Sequence, residues 1–496
     1  MDAQKLPDPA TLDGVASDAR RERILFVCTA NRDRSPTAED LYANDARYEV
    51  RSAGTWPHAV TPITRELLTW ADRVFVLCER EDRHASQIKE RFPDLSPRVV
   101  DLDLPDRREW CRSHPELVNA LLERLEPLLG RPEGFERADE VLPPPKRPGC
   151  GTVEIRGVRR LFAVGDVQSN YEPFALLLEA AGLLEWTGDE PRWSGGDATL
   201  LLMGDLLDGG TRPSDVLWLV TTLAAQAPAA GGRLLLLKGN HEHMLLSALL
   251  ETTPFHVMQW FSNGGLETLV RLAHARGHSA SSTLQAAIFT PTFGVIDTQS
   301  TEIVELLQSV REDYAPELGF VAREARAAAL VNGCLLAAHG APNLEAADWP
   351  SFAVSEADDL RIAWRRDWLD GFRLGGENLR LTESMRGLKS RLDDPGRAIA
   401  IRHVLFAHTP LTDLSITGLR GRQARIGRIL SPRDDLPALY DVITVPREMA
   451  PGGALGGLDF SRDGIVAIYS AEINDGTRYW PARETLGEAD PAFGAA

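Results

Sequence analysis

Apolar residues in this chain fall in short unbroken runs that stop abruptly at polar residues. LFAV (161–164) runs into Gly-Asp, LLLM (200–203) into Gly-Asp, and LLLL (234–237) into Lys-Gly-Asn. Runs of this length without polar alternation are the pattern of strands buried on both faces, as in parallel sheets. Between and after them, EPFALLLEAAGLL, SDVLWLVTTLAAQ and HEHMLLSAL carry apolar residues three and four apart, which predicts helices. The alternation predicts parallel βαβ units. The same unit occurs near the start, where ILFVC (24–28) feeds the polar loop and helical pattern of TANRDRSPTAEDLYAN.

A chain of 496 residues exceeds what one core usually organises, so two or three domains are expected. The pattern breaks at PEGFERADEVLPPPKRPGCG, whose triple proline favours extended backbone. The expected layout is a loose lead-in (1–19), a first α/β domain (20–131), a Pro/Gly linker (132–157), a second α/β domain (158–482) and a frayed tail (483–496). Helical patterns in TEIVELLQSVREDYA and VAREARAAAL predict a helical cap within 251–332. The Arg-, Gly- and Pro-rich stretch 412–454 predicts a loop insertion. A net charge of −18 argues against a general nucleic-acid or anionic-membrane surface, though not against a local basic pocket. Five scattered cysteines fit reduced thiols. No apolar run reaches membrane-spanning length and the N-terminus lacks a signal-peptide pattern, so a soluble cytoplasmic protein is expected.

The first unit places Cys28 at a strand end in the spacing C-x5-R-S, with Arg34 and Ser35. A loop wrapped around an anion can aim successive N–H groups inward, and the following helix N-terminus adds its dipole. Arg34 can grip a phosphate with two parallel hydrogen bonds, Ser35 can donate to the sulfur, and the positive surroundings favour a thiolate nucleophile. Cys28 can equally be read as a small buried apolar residue. VCTANRDRSPTAE, RSAGT (51–55), WADRVFVL (70–77) and DLDLPDRREW (101–110) together resemble the low-molecular-weight protein tyrosine phosphatases. The resemblance implies that Cys28 is the nucleophile, Arg34 binds phosphate, Ser35 stabilises the thiolate, Asn31 shapes the loop, and Asp106 is the general acid. Ala30 stands where that family usually has Gly, Arg107 and Arg108 where it has Pro and an aromatic, and Asp33 adds a negative charge to the loop. No close cysteine pair suits a disulfide relay.

In the second unit, the strand ends deliver Asp166, Gln168, Asp205, Asp208, Asn240 and His241, and two later apolar runs end at His339 and His408. Carboxylate, amide and imidazole groups gathered at the carboxyl ends of parallel strands can hold two divalent metals. Asp205 can bridge them, with Asp166 and Gln168 completing one site and Asn240 serving the other. His241, oriented by Asp208, can protonate a leaving group. The combination GD, GDxxD, GNHE, H and HTP, with FSNGGLETL (261–269) and GGLDFSRDGIVAIYS (456–470), resembles the PPP-type metallophosphoesterases. The GDVQ form is nearest to the bacterial symmetrical diadenosine tetraphosphatases. The resemblance implies metal one on Asp166, Gln168 and Asp205, and metal two on Asp205, Asn240, His339 and His408. Gln168 stands where the family usually has His. Gly209 stands where the family has a phosphate-gripping Arg, for which Arg212, Arg365 and Arg366 are the candidate substitutes.

The expected fold class is thus α/β: a doubly wound parallel-sheet phosphatase domain, then an α/β metallophosphoesterase sandwich with a helical cap. The expected function is a bifunctional phosphatase with a Cys-dependent phosphomonoesterase and a two-metal phosphoserine/threonine-type phosphoesterase. The alternatives are a dinucleoside polyphosphate hydrolase in the second domain, or one domain reduced to phosphate binding. The cofactors are two divalent metals, Mn, Fe or Zn, with none for the first domain. The partner is a phosphorylated protein or a small phosphoester or nucleotide.

Overall fold

The computed structural model describes residues 20–57, 59–95, 97–106, 110, 112, 114–132, 151–250, 254–288, 296–340, 379–408, 427–430, 435, 437–441, 454–460, 465–473 and 479–488. Strands β1 (Glu22–Cys28), β2 (Tyr48–Gly54), β3 (Arg73–Val76) and β4 (Val99–Asp101) form a parallel sheet ordered β2-β1-β3-β4. Helices α1 (Arg34–Tyr42), α2 (Arg65–Trp70) and α3 (His84–Arg91) lie between the strands, and α4 (Pro115–Leu129) follows. Side chains alternate across a strand. Ile24, Phe26 and Cys28 therefore join the core shared with α1 and α4, while Leu25 and Val27 join that of α2 and α3. Helices on both faces explain the unbroken apolar run. The strand order reverses beside β1, so the end of β1, where Cys28 stands, is the expected ligand crevice.

The second unit is a sandwich of two sheets. One is ordered β11-β10-β9-β6-β17-β18-β19, with β6 (Leu161–Val164), β9 (Thr199–Leu202), β10 (Arg233–Leu237), β11 (Ala325–Arg326), β17 (Ala454–Phe460), β18 (Ile465–Ile473) and β19 (Tyr479–Glu488). The other is ordered β15-β16-β14-β13-β12-β5, with β5 (Thr152–Ile155), β12 (Ala328–Val331), β13 (Leu335–Ala338), β14 (His403–Phe406), β15 (Gly427–Leu430) and β16 (Ala438–Asp441). Leu161, Ala163, Leu201 and Met203 meet Val331, Leu335 and Leu405 between the sheets. Phe162, Val164, Leu200 and Leu202 pack outward under helices. The expected βαβ pattern holds from β6 through β9 to β10, all parallel, with a separate antiparallel pair, β7 (Leu184–Thr187) and β8 (Glu190–Trp193), between β6 and β9 along the chain. It changes at β17, which lies antiparallel to β6 and forms a hairpin partner for β18.

Three expectations of extent differ. β5 lies inside the stretch read as linker: it pairs with β12 and sends Ile155 into the inter-sheet core. β19 runs to Glu488, past the point where a tail was expected, because it pairs with β18 along its length. The stretch 412–454 carries β15 and β16, with β16 parallel to β14. The helices α8 (Pro254–Phe261), α9 (Gly265–Ala275), α11 (Thr301–Asp313) and α12 (Ala315–Glu324) share one core with α5 (Tyr171–Ala180), α6 (Pro213–Gln226) and α7 (Asn240–Leu250), α10 being Ser282–Ala287. Among the described residues no helix is long and apolar enough to cross a membrane.

Arg160, just before β6, and Asp459 of β17 tie these antiparallel neighbours together through two short contacts, Nε to Oδ1 at 3.0 Å and Nη2 to Oδ2 at 2.7 Å. Asp459 is buried, so removing it takes the charged partner from Arg160, whose Nη2 keeps its bond to the Ala181 carbonyl at 2.6 Å. Asp459→Ala is expected to lower unfolding stability by about 2 kcal/mol in a denaturant titration; an unchanged midpoint and slope would show the pair to be neutral.

Candidate active sites

β6, β9 and β10 end side by side, and the chain turns at once into Asp166, Asp205 and Asn240. In the facing sheet the parallel pair β13 and β14 end just before His339 and His408. These five residues are buried and meet at one rim of the sandwich. Asp205 Oδ2 lies 3.2 Å from His339 Nε2, and Asn240 Oδ1 lies 3.3 Å from the same nitrogen. Asp166 Oδ1 receives the His408 backbone N–H at 3.4 Å. Asp205, His339 and His408 each offer a ligand atom within 4.8 Å of the others. His339 Nδ1 lies 2.8 Å from the Met203 carbonyl, to which it donates when protonated, so that Nε2 is turned to the cluster.

The backbone at this rim is forced. Gln168, Ser169, Asp205, Asp208 and His408 all have left-handed φ, between 46° and 75°. Such conformations cost energy in residues with side chains and persist where the surroundings hold them. Glu242 does much of the holding. Its buried carboxylate accepts N–H bonds from Asp205 at 2.8 Å, Leu206 at 2.7 Å and Gly239 at 2.8 Å, locking the β9 and β10 loops together. Gly239 is required beside it, because a Cβ would overlap Asp205 Oδ1 and stand 2.6 Å from the Asp205 nitrogen.

Asp208 is held on three sides. Trp260 Nε1–H donates to its Oδ2 at 3.1 Å, Thr268 Oγ–H to its Oδ1 at 2.5 Å, and His241 Nδ1 lies 2.7 Å from Oδ2. His241 Nε2 is then 3.9 Å from Asp205 Oδ2, facing the cluster. Burial opposes a charge on His241, but Asp205 and Asp208 outweigh it and push the ring up to about 10. Burial also opposes a charge on His339, and Asp205 outweighs it, raising that ring to about 9. For Asp205, burial opposes ionisation, yet His339 and His241 prevail and hold its carboxyl below the usual range. Asp166 goes the other way: burial, with Asp205 nearby, pushes it up to about 7. A buried set of carboxylates whose own neighbours leave one of them hard to ionise fits a divalent cation, and the oxygen and imidazole donors suit Mn, Fe or Zn.

Gln168 is half-buried, its Oε1 lying 3.6 Å from where a Cβ on Gly209 would stand. Arg212 is engaged elsewhere: it pairs with Glu172 and Asp215, both at 2.8 Å, and covers the Tyr171 ring. Arg365 and Arg366 lie outside the described residues.

At the end of β1 the chain turns around Cys28. Asn31 takes a left-handed φ of 53°, which brings its N–H to 3.2 Å from Cys28 Sγ, and Ser35 Oγ–H donates to the same sulfur at 3.0 Å. The Asn31 side chain donates to Ser52 Oγ at 2.8 Å and Ser35 Oγ at 3.1 Å, and accepts from the Thr61 N–H. Gly54 lets β2 approach, since a Cβ there would stand 2.6 Å from the Thr29 carbonyl. Arg34 is buried, donates to Asp82 at 2.8 Å and the Leu104 carbonyl at 3.0 Å, and stands 3.3 Å from Asp106 Oδ1. Burial opposes its charge, but Asp106 and Asp82 outweigh it and hold the guanidinium above its ordinary value. Burial pushes His84 down to about 4, so its Nδ1 accepts from the Cys78 N–H and its Nε2–H donates to Thr29 Oγ1 at 3.0 Å. Arg107 and Arg108 lie outside the described residues.

Residues 159–315 match the calcineurin-like phosphoesterase family. That phosphoesterase region carries the strand-end residues from Asp166 to His241, while His339 and His408 lie beyond it. The chain is 35% identical over 85 residues to Shewanella-like protein phosphatase 2 of Arabidopsis thaliana, covering 17% of this chain and 21% of that protein. It is 33% identical over 84 residues to an uncharacterised Schizosaccharomyces pombe protein, covering 17% and 25%. The matches thus span only about a quarter or less of these relatives. Among solved structures, a cold-active protein-tyrosine phosphatase of a psychrophilic Shewanella aligns with a TM-score of 0.37 at 19% identity, over 70% of this chain and 84% of that one. A serine/threonine phosphatase of Saccharomyces cerevisiae aligns at 0.32 and 14%, over 77% and 92%.

Sequence reading of the phosphoesterase region missed Glu242, Trp260 and Thr268, and near Cys28 it missed Asp82 and His84. Glu242 and Thr268 sit inside motifs already noticed, GNHE and FSNGGLETL, so their place in a motif was the available signal. Trp260 and Asp82 carry no such signal.

Two outcomes follow for the metal rim. The raised folded-state values of His339 and His241 contribute stability that is present below pH 6.5 and lost as pH rises through 9 to 10. Thermal melts of EDTA-treated protein should therefore fall across that window, and a flat profile would contradict the charged-ring picture. Gly239→Ala should weaken Mn²⁺ binding at least ~10-fold by calorimetry, while Gly387→Ala, where a Cβ would meet only the Arg391 side chain at 3.6 Å, should leave it unchanged.

Proposed function

We propose that the chain is a phosphoric ester hydrolase with two distinct sites: a two-metal phosphoesterase acting on phosphoserine/threonine-type esters, and a Cys-dependent phosphomonoesterase. The observation that carries this is the convergence of Asp166, Asp205, Asn240, His339 and His408 on one rim, with the His241–Asp208 pair facing it. Asp166, Gln168 and Asp205 would hold one metal, and Asp205, Asn240, His339 and His408 the other. Bound there, divalent metals supply Lewis acidity to the phosphoryl group and make water more acidic. His241 keeps its proton on Nε2, aimed at the rim by Asp208, and delivers it to the departing oxygen. The left-handed backbone at Asp205 and Asp208 is the strain cost of keeping these groups preorganised.

In the first unit, the Cys28 thiolate attacks phosphorus, the ester P–O bond breaks, and Asp106 gives its proton to the leaving oxygen. Water then attacks the phosphocysteine, Asp106 takes the water's proton, and the thiolate is restored as inorganic phosphate forms. Support for this reading is the pair of donors already on Cys28 Sγ and the buried Arg34 reaching Asp106. Asp33 accepts backbone and side-chain bonds from Thr37 through its carbonyl and begins α1.

Hydrolysis of an aryl phosphate by wild type, Cys28→Ser and Asp205→Asn, each in EDTA or Mn²⁺, separates the sites. EDTA-resistant turnover should vanish in Cys28→Ser, and Mn²⁺-dependent turnover should fall at least ~10³-fold in Asp205→Asn. Mn²⁺-dependent turnover that survives Asp205→Asn would sink the metal-site reading. Preference for diadenosine tetraphosphate over a phosphopeptide would move that site to nucleotide hydrolysis.

A further inference from the structure

The two units touch through residues that neither site uses. Asp40 lies near the end of α1, the helix that starts with Arg34 and Ser35 of the Cys28 loop. Its buried carboxylate takes two arms of Arg112, Nε–H to Oδ2 at 2.9 Å and Nη2–H to Oδ1 at 2.7 Å. Ser262 closes the triangle from the second unit. Its Oγ–H donates to Asp40 Oδ1 at 3.1 Å and its Oγ accepts from Arg112 Nη2 at 3.3 Å. Phe255, at the start of α8, packs against the core of the first unit. Ser262 continues α8 by donating its N–H to the Met258 carbonyl at 2.9 Å.

The first unit therefore holds α8 at both ends. Between those ends stands Trp260, fully buried, whose Nε1–H divides between the two oxygens of Asp208 at 3.1 and 3.2 Å. Residues two apart on a helix point about 200° apart. Ser262 can thus face the first unit while Trp260 faces Asp208. A helix of two turns has little stability of its own, so its position is set by what it packs against: the second unit's core at Val257, Trp260 and Phe261, and the first unit at Phe255 and Ser262. A buried Asp40–Arg112 pair is a fixed anchor, because separating it leaves an uncompensated charge.

We propose that Asp40, Arg112 and Ser262 are positioning residues for His241: the first unit, acting through α8, keeps Trp260 against Asp208 and so keeps the imidazole aimed at the metal rim. This rests on the reading of His241 as the leaving-group acid. The catalytic support of the phosphoesterase region is then completed by the unit that carries Cys28.

The test uses the full chain with Ser262→Ala, the paired change Asp40→Asn with Arg112→Gln, and Asn44→Ala as a control at the other contact, where Asn44 Nδ2 meets Thr298 Oγ1. The first readout needs no activity. Solvent exchange of the Trp260 indole N–H, assigned with Trp260→Phe, should quicken at least ~10-fold in the first two variants, with other buried indoles and the control unchanged. Unchanged Trp260 protection overturns the proposal. In the second readout, Mn²⁺-dependent kcat should fall about tenfold at constant KM, with no further fall when Ser262→Ala is added to His241→Ala. An equal fall in the His241→Ala background, or a rise in KM with kcat intact, overturns it. Ser262→Ala removes one hydroxyl and carries the test should the paired variant not fold. A wild type without metal-dependent turnover would defeat the reading of the site, and the indole exchange would still judge the joint.

Discussion

Negative charge buried at the ends of β6, β9 and β10 is the constraint on which the second unit depends. Asp166, Asp205 and Glu242 are all within a few per cent of complete burial. Each ion taken out of water costs several kcal/mol unless something answers it. Glu242 is answered by three backbone N–H groups, and that answer also welds two loops into one geometry. Asp205 is answered by His339 and His241. Asp166 is left partly unanswered, which is the physical sense in which this rim fits a cation. His339 comes from the opposite sheet, so the sandwich must close before the charge on Asp205 can be fully balanced.

The Cys28 loop solves the inverse problem. There the buried charge is the Arg34 guanidinium, and the loop turns N–H and O–H donors inward instead of carboxylates. Both sites nevertheless sit at the carboxyl ends of parallel strands, where backbone turns leave donors and side chains free to face a ligand. Both use left-handed residues to do so, Asn31 in one and Asp205 and Asp208 in the other. Small close-approach glycines, Gly54 and Gly239, allow neighbouring strands to crowd each site.

The junction between the units joins these two designs. α1 carries Arg34 at its first turn and Asp40 at its last, and α8 carries Trp260 one side and Ser262 the other. Short helices held by contacts on both sides pass position rather than charge. The path from the sulfur of Cys28 to the imidazole of His241 runs through packed helices and charge-assisted hydrogen bonds.

The sequence by itself determined the strands and where they stop. Unbroken apolar runs require burial on both faces, and Gly-Asp or Gly-Asn steps end them, so Asp166, Asp205 and Asn240 were legible as strand-end residues. Cys28, Arg34 and Ser35 were legible for the same reason, being local to one strand, loop and helix. The full length of β19 follows from its pairing with the neighbouring β18; the antiparallel β17 and the recruitment of β5 were not legible, because their partners β6 and β12 lie far away along the chain. The same holds for Trp260 and Thr268 on Asp208, and for Asp82 on Arg34. A hydrogen-bond partner is chosen by proximity in the folded chain, and local pattern carries no record of it. The family resemblance groups His339 and His408 with Asp205, and the closed sandwich brings them together; tertiary structure alone set Arg212 against Glu172 and Asp215 and placed Ser262 on Asp40.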